Sequence, residues 1–107
     1  MLAVPNYATF WERAAYVWAA KIARVTPLGV VSDSTATAMA YAYQRSKELK
    51  QVGSKQVCFV DMGHSYTSVT VVRFGAAHAQ VLYEKSHRNL GARNIDLIVA
   101  EALSKEN

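Results

Sequence analysis

Cysteine is almost absent from the chain, and this absence limits the chemistry that the chain supports. The single thiol, Cys58, has no partner for an internal disulfide and cannot form a cysteine-based metal cluster by itself. It lies between Val57 and Phe59 in an apolar run. We therefore predict that Cys58 is a buried, inert thiol rather than a nucleophile.

Long apolar runs are also missing. No stretch of the sequence is long and apolar enough to cross a bilayer. Near the N-terminus, Glu12, Arg13 and Lys21 interrupt any apolar core, which argues against a signal peptide. We accordingly expect no membrane partner.

Charge of one sign is not gathered into a single block. The chain has 12 Lys and Arg residues against 8 Asp and Glu residues, which gives a net charge of +4. A basic balance suits nucleic acid or an anionic ligand. The strands, however, lack the interleaved aromatic and basic residues of nucleic-acid-binding modules, so we expect a solvated surface and no nucleic-acid partner.

The hydrophobic content is high enough for a packed core. Hydrophobic residues make up 51% of the sequence and charged residues 19%, a balance that argues against disorder. At 107 residues the chain is one small domain or a part of a larger one.

The N-terminal segment predicts an extended stretch followed by a helix. Residues 3–5 are extended because the residue before a proline avoids the helical region. Thr9 and Glu12 have the spacing of a capping box, and apolar residues at helical spacing follow. We place Trp11 and Trp18 in the core or at its edge.

A second strand and helix follow. A short apolar strand at residues 28–31 leads into residues 32–34, whose Ser and Asp side chains favour a helix N-terminus. This helix is predicted over about residues 35–46. Residues 47–55 then predict a polar, lysine-rich linker with little to bury.

The second half has a different pattern. Three strands are predicted at residues 55–61, 65–74 and 80–85, and a helix at about residues 94–104. The order β-α-β-α followed by β-β-β-α indicates an α/β chain.

The turn between the first two of these three strands has the composition of a phosphate-binding turn. An apolar strand reaches Asp61, and a short turn containing Gly63 joins it to the next strand. Backbone N–H groups at such a tip suit phosphate oxygens, and the carboxylate suits a hydrated magnesium ion. A plain hairpin with no ligand is the alternative.

Separated segments of the chain resemble, in order and spacing, the nucleotide-binding domain of the heat shock protein 70 superfamily. The sequence D-M-G-H-S at residues 61–65 is similar to the corresponding sequence of the heat shock protein 110 branch. The segments are V-P-N-Y at residues 4–7 with E-R at 12–13, S-D-S-T-A-T-A-M-A-Y at 32–41, D-M-G-H-S at 61–65, and L-G-A-R-N-I-D at 90–96.

The resemblance implies the actin-like ATPase fold, which is ribonuclease H-like and closes two lobes over ATP. Residues 1–50 would form the back part of the first lobe, and residues 51–107 the front part of the second lobe, as a three-stranded meander plus a helix. The resemblance also implies ATP or ADP with magnesium as ligands, a cytoplasmic chaperone or co-chaperone as the whole protein, and a heat shock protein 70-type chaperone and unfolded clients as its partners.

The resemblance also implies roles for individual residues. Asp61 orients the hydrated magnesium ion, and Asp33 stands where the family has a metal-shell glutamate. Two turns are expected to contact the nucleotide alongside Asp61. Their residues are Gly63, His64, Ser65, Tyr66, Gly91 and Ala92.

The chain departs from the family pattern at this site. His64 and Ser65 replace glycines, Tyr66 replaces a small hydroxyl residue, Asp33 is one methylene shorter than glutamate, and Ala92 replaces glycine. Side chains at the turn restrict the backbone and crowd a phosphate. His64 either donates an imidazole hydrogen bond to phosphate or is an ordinary exposed histidine.

These departures leave two functions open. One is the ATP-binding domain of a chaperone, and the other is a non-catalytic interaction domain that keeps the fold without nucleotide chemistry. In either case we expect no meaningful ATPase activity from the isolated chain, because the family's first phosphate loop and catalytic lysine are not in this sequence.

Overall fold

Strands and helices alternate in the first half, and three strands follow one another in the second. The computed structural model describes residues 1–75 and 77–105, so residues 76, 106 and 107 of the predicted second unit lie outside the described part. The α/β prediction is confirmed. In chain order the elements are β1 (Leu2–Val4), α1 (Phe10–Ile22), β2 (Val30–Ser32), α2 (Asp33–Gln44), α3 (Ser46–Val52), β3 (Ser54–Met62), β4 (Thr67–Gly75), β5 (Ala79–His87) and α4 (Ala92–Lys105).

The first sheet is a parallel pair joined by a helix. β1 and β2 lie side by side with Leu2 opposite Val30, and α1 makes the crossover. The capping box predicted at α1 is confirmed, because the Glu12 N–H donates to the Thr9 hydroxyl over 3.3 Å and the Thr9 N–H donates to Glu12 Oε2 over 2.6 Å. Arg13 then ties the helix to β2 by donating to Ser32 Oγ over 3.1 Å.

The predicted linker at residues 47–55 is wrong. Most of it forms α3, which ends at Gly53, where the positive φ of 74° suits glycine. Leu49 is buried in this helix, and Glu48 pairs with Lys55 at the start of β3. Leu49 is the residue of α3 that is buried, and it belongs to the core cluster.

The second sheet is an antiparallel meander of β3, β4 and β5, which confirms the three strands predicted at residues 55–61, 65–74 and 80–85. β3 pairs with β4 in continuous register from Ser54–Gly75 to Met62–Thr67. β5 pairs with the other edge of β4, with one irregularity between Val71 and Val72.

The core lies between this meander and the helices α2 and α3. One face of β4 is buried from Ser68 to Phe74 at every second residue, as the two-residue period of a strand requires. Three aromatic rings pack there, with centroids 5.2–6.2 Å apart: Tyr41, Phe59 and Phe74. The core cluster joins residues from both sides of position 50, and its buried members are Ala38, Leu49, Val72 and Phe74.

Several residues predicted to be buried are exposed instead. Trp11 is 78% exposed and Trp18 63%, so their assignment to the core is wrong. Cys58 is also exposed, because it points to the opposite face of β3 from the half-buried Val57 and Phe59. Within the described residues neither α1 nor α4 has a buried residue, and the apolar side chains of Ile95, Ile98 and Val99 in α4 are exposed.

Among residues 1–75 and 77–105, none of the helices combines the length and apolar character needed to cross a bilayer.

Candidate functional site

The turn between β3 and β4 spans four residues, Gly63 to Tyr66. It is closed by the Gly63 N–H, which donates to the Tyr66 carbonyl over 2.9 Å. Within the described part of the chain, the amides of His64, Ser65 and Tyr66 make no hydrogen bond. Consecutive unpaired amides at a tight turn form a donor set suited to anions.

A second turn, directly before α4, packs against the first. The Ala92 N–H donates to the Gly63 carbonyl over 2.9 Å, and the Arg93 N–H donates to the His64 carbonyl over 3.1 Å. Thr67 Oγ1 adds a 2.7 Å bond to the Leu90 carbonyl. The carbonyls of the first turn thus satisfy the first amides of α4, which would otherwise be unpaired.

Gly91 is buried where the two turns meet. A Cβ at this position would lie 2.4 Å from the His64 carbonyl oxygen and 2.7 Å from the Ser65 carbonyl carbon. Both atoms belong to the backbone and have no rotamer by which to move away. Glycine is therefore needed here for close backbone approach, a reason that the sequence did not reveal.

Asp33 brings a third element, the start of α2, into the same site. Its Oδ1 atom accepts from the Asn6 N–H over 3.1 Å and from the Ser34 N–H over 2.6 Å. Its Oδ2 atom accepts from the Tyr66 hydroxyl. Asp33 is half-buried, and both of its carboxylate oxygens already have donors from the chain.

Tyr66 lies between Asp33 and Tyr7. Its ring meets the Tyr7 ring edge-on, with centroids 5.1 Å apart and an interplanar angle of 89°. The hydrogen bond to Asp33, followed by burial and the charges of Asp33 and Asp61, raises the pKa of the Tyr66 phenol well above its usual range. The phenol is therefore protonated at neutral pH and acts as a donor.

Asp61 has the opposite environment. It lies in β3 opposite Ser68, is exposed, and its carboxylate makes no hydrogen bond or ion pair with any described residue. Asp61 stands two residues before the turn, and its charge is one of the smaller causes that raise the pKa of the Tyr66 phenol. An exposed carboxylate beside unpaired backbone amides suits a magnesium ion that keeps its waters.

The two carboxylates differ in how well they fit magnesium. Asp61 fits the role better than Asp33, because the chain's own donors use three of the about four acceptor sites of the Asp33 carboxylate. No group of three or more His, Cys, Asp or Glu residues suited to a metal occurs among the residues that the structure describes. Magnesium bound with nucleotide needs only one or two carboxylates, since phosphates and waters supply the other ligands.

Sequence reasoning missed the residues of β5 and the turn after it that contact the first half of the chain. Arg88 lies 4.4 Å from the Tyr7 ring centroid, donates to the Tyr7 carbonyl over 3.0 Å and pairs with Glu12 at 3.2 Å. The Ser86 hydroxyl also bonds Asn6 Oδ1. These pairs are about 80 residues apart in sequence, and no local pattern signals them.

Comparison with known proteins places the chain among heat shock proteins. The family model described as Hsp70 protein matches residues 1–107. A 97 kDa heat shock protein of Strongylocentrotus purpuratus is 39% identical over 102 residues, which is 94% of this chain and 12% of that protein.

Other relatives give the same picture. Heat shock 70 kDa protein 16 of Arabidopsis thaliana is 34% identical over 92% of this chain and 13% of its own length. Heat shock protein 110 of Caenorhabditis elegans is 32% identical over 99% of this chain and 14% of its own length. The chain therefore spans only a small part of the length of these curated relatives.

Proposed function

The chain belongs to the Hsp70 protein family, and from that premise we propose that residues 61–66 bind the phosphates of ATP or ADP within the ATP-binding domain of a heat shock protein 110-like chaperone. The observation that carries the proposal is that three amides and a carboxylate at a single tight turn have no partner among the described residues. Phosphate oxygens accept from the amides of His64, Ser65 and Tyr66. Asp61 holds the water shell of magnesium beside them.

Gly91 and Ala92 act in this proposal through the first turn. They hold its carbonyls from behind, so that the amides at its tip keep a fixed geometry. A preorganised donor set binds an anion without a cost for ordering the loop. Direct contact of Gly91 and Ala92 with nucleotide is not required.

The wider architecture is proposed on the same basis. We place residues 1–50 at the back of the first lobe of an actin-like ATPase fold and residues 51–107 at the front of the second. Contacts across this division support a site shared by both parts: Tyr66 bonds Asp33, and Arg88 bonds the carbonyl of Tyr7. For the whole protein we propose a cytoplasmic location, a heat shock protein 70-type chaperone as partner, and unfolded proteins as clients.

Hydrolysis by the chain alone is not part of the proposal. Phosphoryl transfer depends on positioning and charge around magnesium-nucleotide. Of the two carboxylates found here, only Asp61 is open. A non-catalytic interaction domain is the second candidate. The three hydrogen bonds that the Asp33 carboxylate accepts from the chain favour it.

The test is calorimetric titration of ATP, ADP and adenosine into the complete protein that contains these residues. ATP and ADP should bind, and adenosine, which lacks phosphates, should bind much more weakly. The His64→Gly variant should fold and bind at least as tightly, because glycine frees the turn and removes a side chain near the phosphates. Absence of ATP binding by the wild-type protein would leave the interaction domain as the better account.

A further inference from the structure

We propose that Tyr66 is an internal ligand of Asp33, which withdraws this carboxylate from the magnesium shell and latches the β3–β4 turn to the start of α2. The inference rests on the proposed nucleotide site and adds a residue that sets how strongly that site depends on magnesium. It predicts that, of Asp33 and Asp61, only Asp61 binds the hydrated magnesium ion.

The first argument is the number of donors at Asp33. Oδ1 accepts from two backbone amides, at 3.1 Å and 2.6 Å, and about two hydrogen bonds fill a carboxylate oxygen. Oδ2 is the oxygen that has capacity left for a metal-bound water, and the Tyr66 phenol takes one of its about two acceptor sites.

The second argument is that Tyr66 is held in place from its other side. Its ring packs edge-on against Tyr7, and Arg88 lies over the Tyr7 ring while bonding the Tyr7 carbonyl. The phenol therefore does not swing away from Asp33 without losing packed contacts.

The third argument concerns the geometry of magnesium. The ion demands a nearly ideal octahedral shell and gives up its waters reluctantly. A water in so rigid a shell has little freedom to shift toward the one acceptor site that the phenol leaves on Oδ2, so the two donors compete for this oxygen. Tyr66 belongs to the turn itself and has the advantage of a preorganised position.

The experiment compares ATP affinity in magnesium with ATP affinity in EDTA for the complete protein. The measured quantity is the dissociation constant in EDTA divided by the dissociation constant in magnesium, and this quotient is called the ratio below. Tyr66→Phe keeps the ring and removes the donor, so it should free Oδ2 and raise the ratio by about tenfold. Tyr83→Phe removes an exposed phenol from β5 and is the matched control, with no change expected.

A second carboxylate variant completes the cycle. Asp33→Asn should leave the ratio unchanged in the wild-type background, because the carboxylate is already withdrawn. In the Tyr66→Phe background the same change should abolish the tenfold gain. A ratio that Tyr66→Phe does not move, or one that Asp33→Asn lowers equally in both backgrounds, would overturn the inference.

Failure of the inference is distinguishable from failure of the proposed function. If the wild-type protein binds ATP and Tyr66→Phe leaves the ratio unchanged, only the inference about Tyr66 and Asp33 is contradicted. A wild-type protein that binds no ATP contradicts the proposed nucleotide site and the magnesium role of Tyr66 with it. Thermal unfolding of the wild type, Tyr66→Phe, Asp33→Asn and the double variant measures the contact in the absence of ligand. The inference predicts that the losses of stability caused by the two single changes are not additive, and additive losses would overturn it.

Discussion

The two acidic sides of the candidate site differ in one respect that decides their chemistry. Asp61 is exposed and has no partner among the described residues, whereas Asp33 is half-buried and accepts hydrogen bonds at both oxygens. A carboxylate binds a hydrated cation only with the lone pairs that the protein leaves free. Two aspartates at one site are therefore not equivalent, and we call them here the open side and the closed side.

The largest effect should come from damage to the support of the open side. Gly91→Ala places a Cβ 2.4 Å from the His64 carbonyl oxygen, and relief requires the two turns to separate. We expect a loss of about 3 kcal/mol in the free energy of unfolding, together with loss of nucleotide binding. Urea unfolding measures the first and calorimetry the second.

Gly29→Ala is the matched control for that change. A Cβ there meets only the side chain of Met1, at 3.1 Å from its sulfur, and a flexible side chain can move aside. Its effect should be small. If Gly91→Ala were as mild as Gly29→Ala, the packing of the two turns would not matter for the open side.

A smaller effect should come from the residue that backs the closed side. Arg88→Ala removes the cation from the Tyr7 ring and the hydrogen bond to the Tyr7 carbonyl. We expect a loss of about 1 kcal/mol in unfolding free energy and a less firmly held Tyr66. The dissociation constant for ATP in EDTA divided by that in magnesium should then rise, as it should for Tyr66→Phe.

Arg73→Ala serves as control for Arg88. Arg73 is an exposed arginine of β4, and its removal should change neither quantity. Equal results for the two variants would show that Arg88 does not support the closed side.

The smallest effect should come from Thr67. Thr67→Val keeps the shape of the side chain and removes the 2.7 Å hydrogen bond to the Leu90 carbonyl. Because this bond is exposed, we expect a loss of only about 0.5 kcal/mol in unfolding free energy. Thermal unfolding measures it, and a loss as large as that of Gly91→Ala would mean that the hydroxyl, not the glycine, joins the two turns.

Local patterns predicted the elements of the fold well. The Thr9–Glu12 capping box and the three strands of the meander are confirmed, because each depends on residues close in sequence. α3 was missed because its one core residue, Leu49, stands among polar neighbours. Whether an apolar helix face is covered also depends on distant elements, so the exposure of Trp11 and Trp18 could not be predicted.

The sequence predicted which residues belong to the site but not the hydrogen bonds that join them. The structure brings Asp33, Asp61, the 63–66 turn and the 91–92 turn together, and their roles toward nucleotide stay predictions. The bond between Tyr66 and Asp33 joins residues 33 positions apart, and neither residue type demands the other. A sequence shows two aspartates, and only the folded chain shows which of them has free oxygens.

The most direct measurement is a paired one: the affinity of magnesium-ATP for Asp61→Asn and for Asp33→Asn in the complete protein. Both changes remove one charge and keep the side-chain shape. Asp61→Asn should weaken magnesium-ATP binding by about tenfold, equivalent to about 1.4 kcal/mol, and leave binding in EDTA unchanged. Asp33→Asn should leave the magnesium response as it is in the wild type. Equal losses for the two variants, or a loss at Asp33 alone, would contradict the distinction between an open and a closed side.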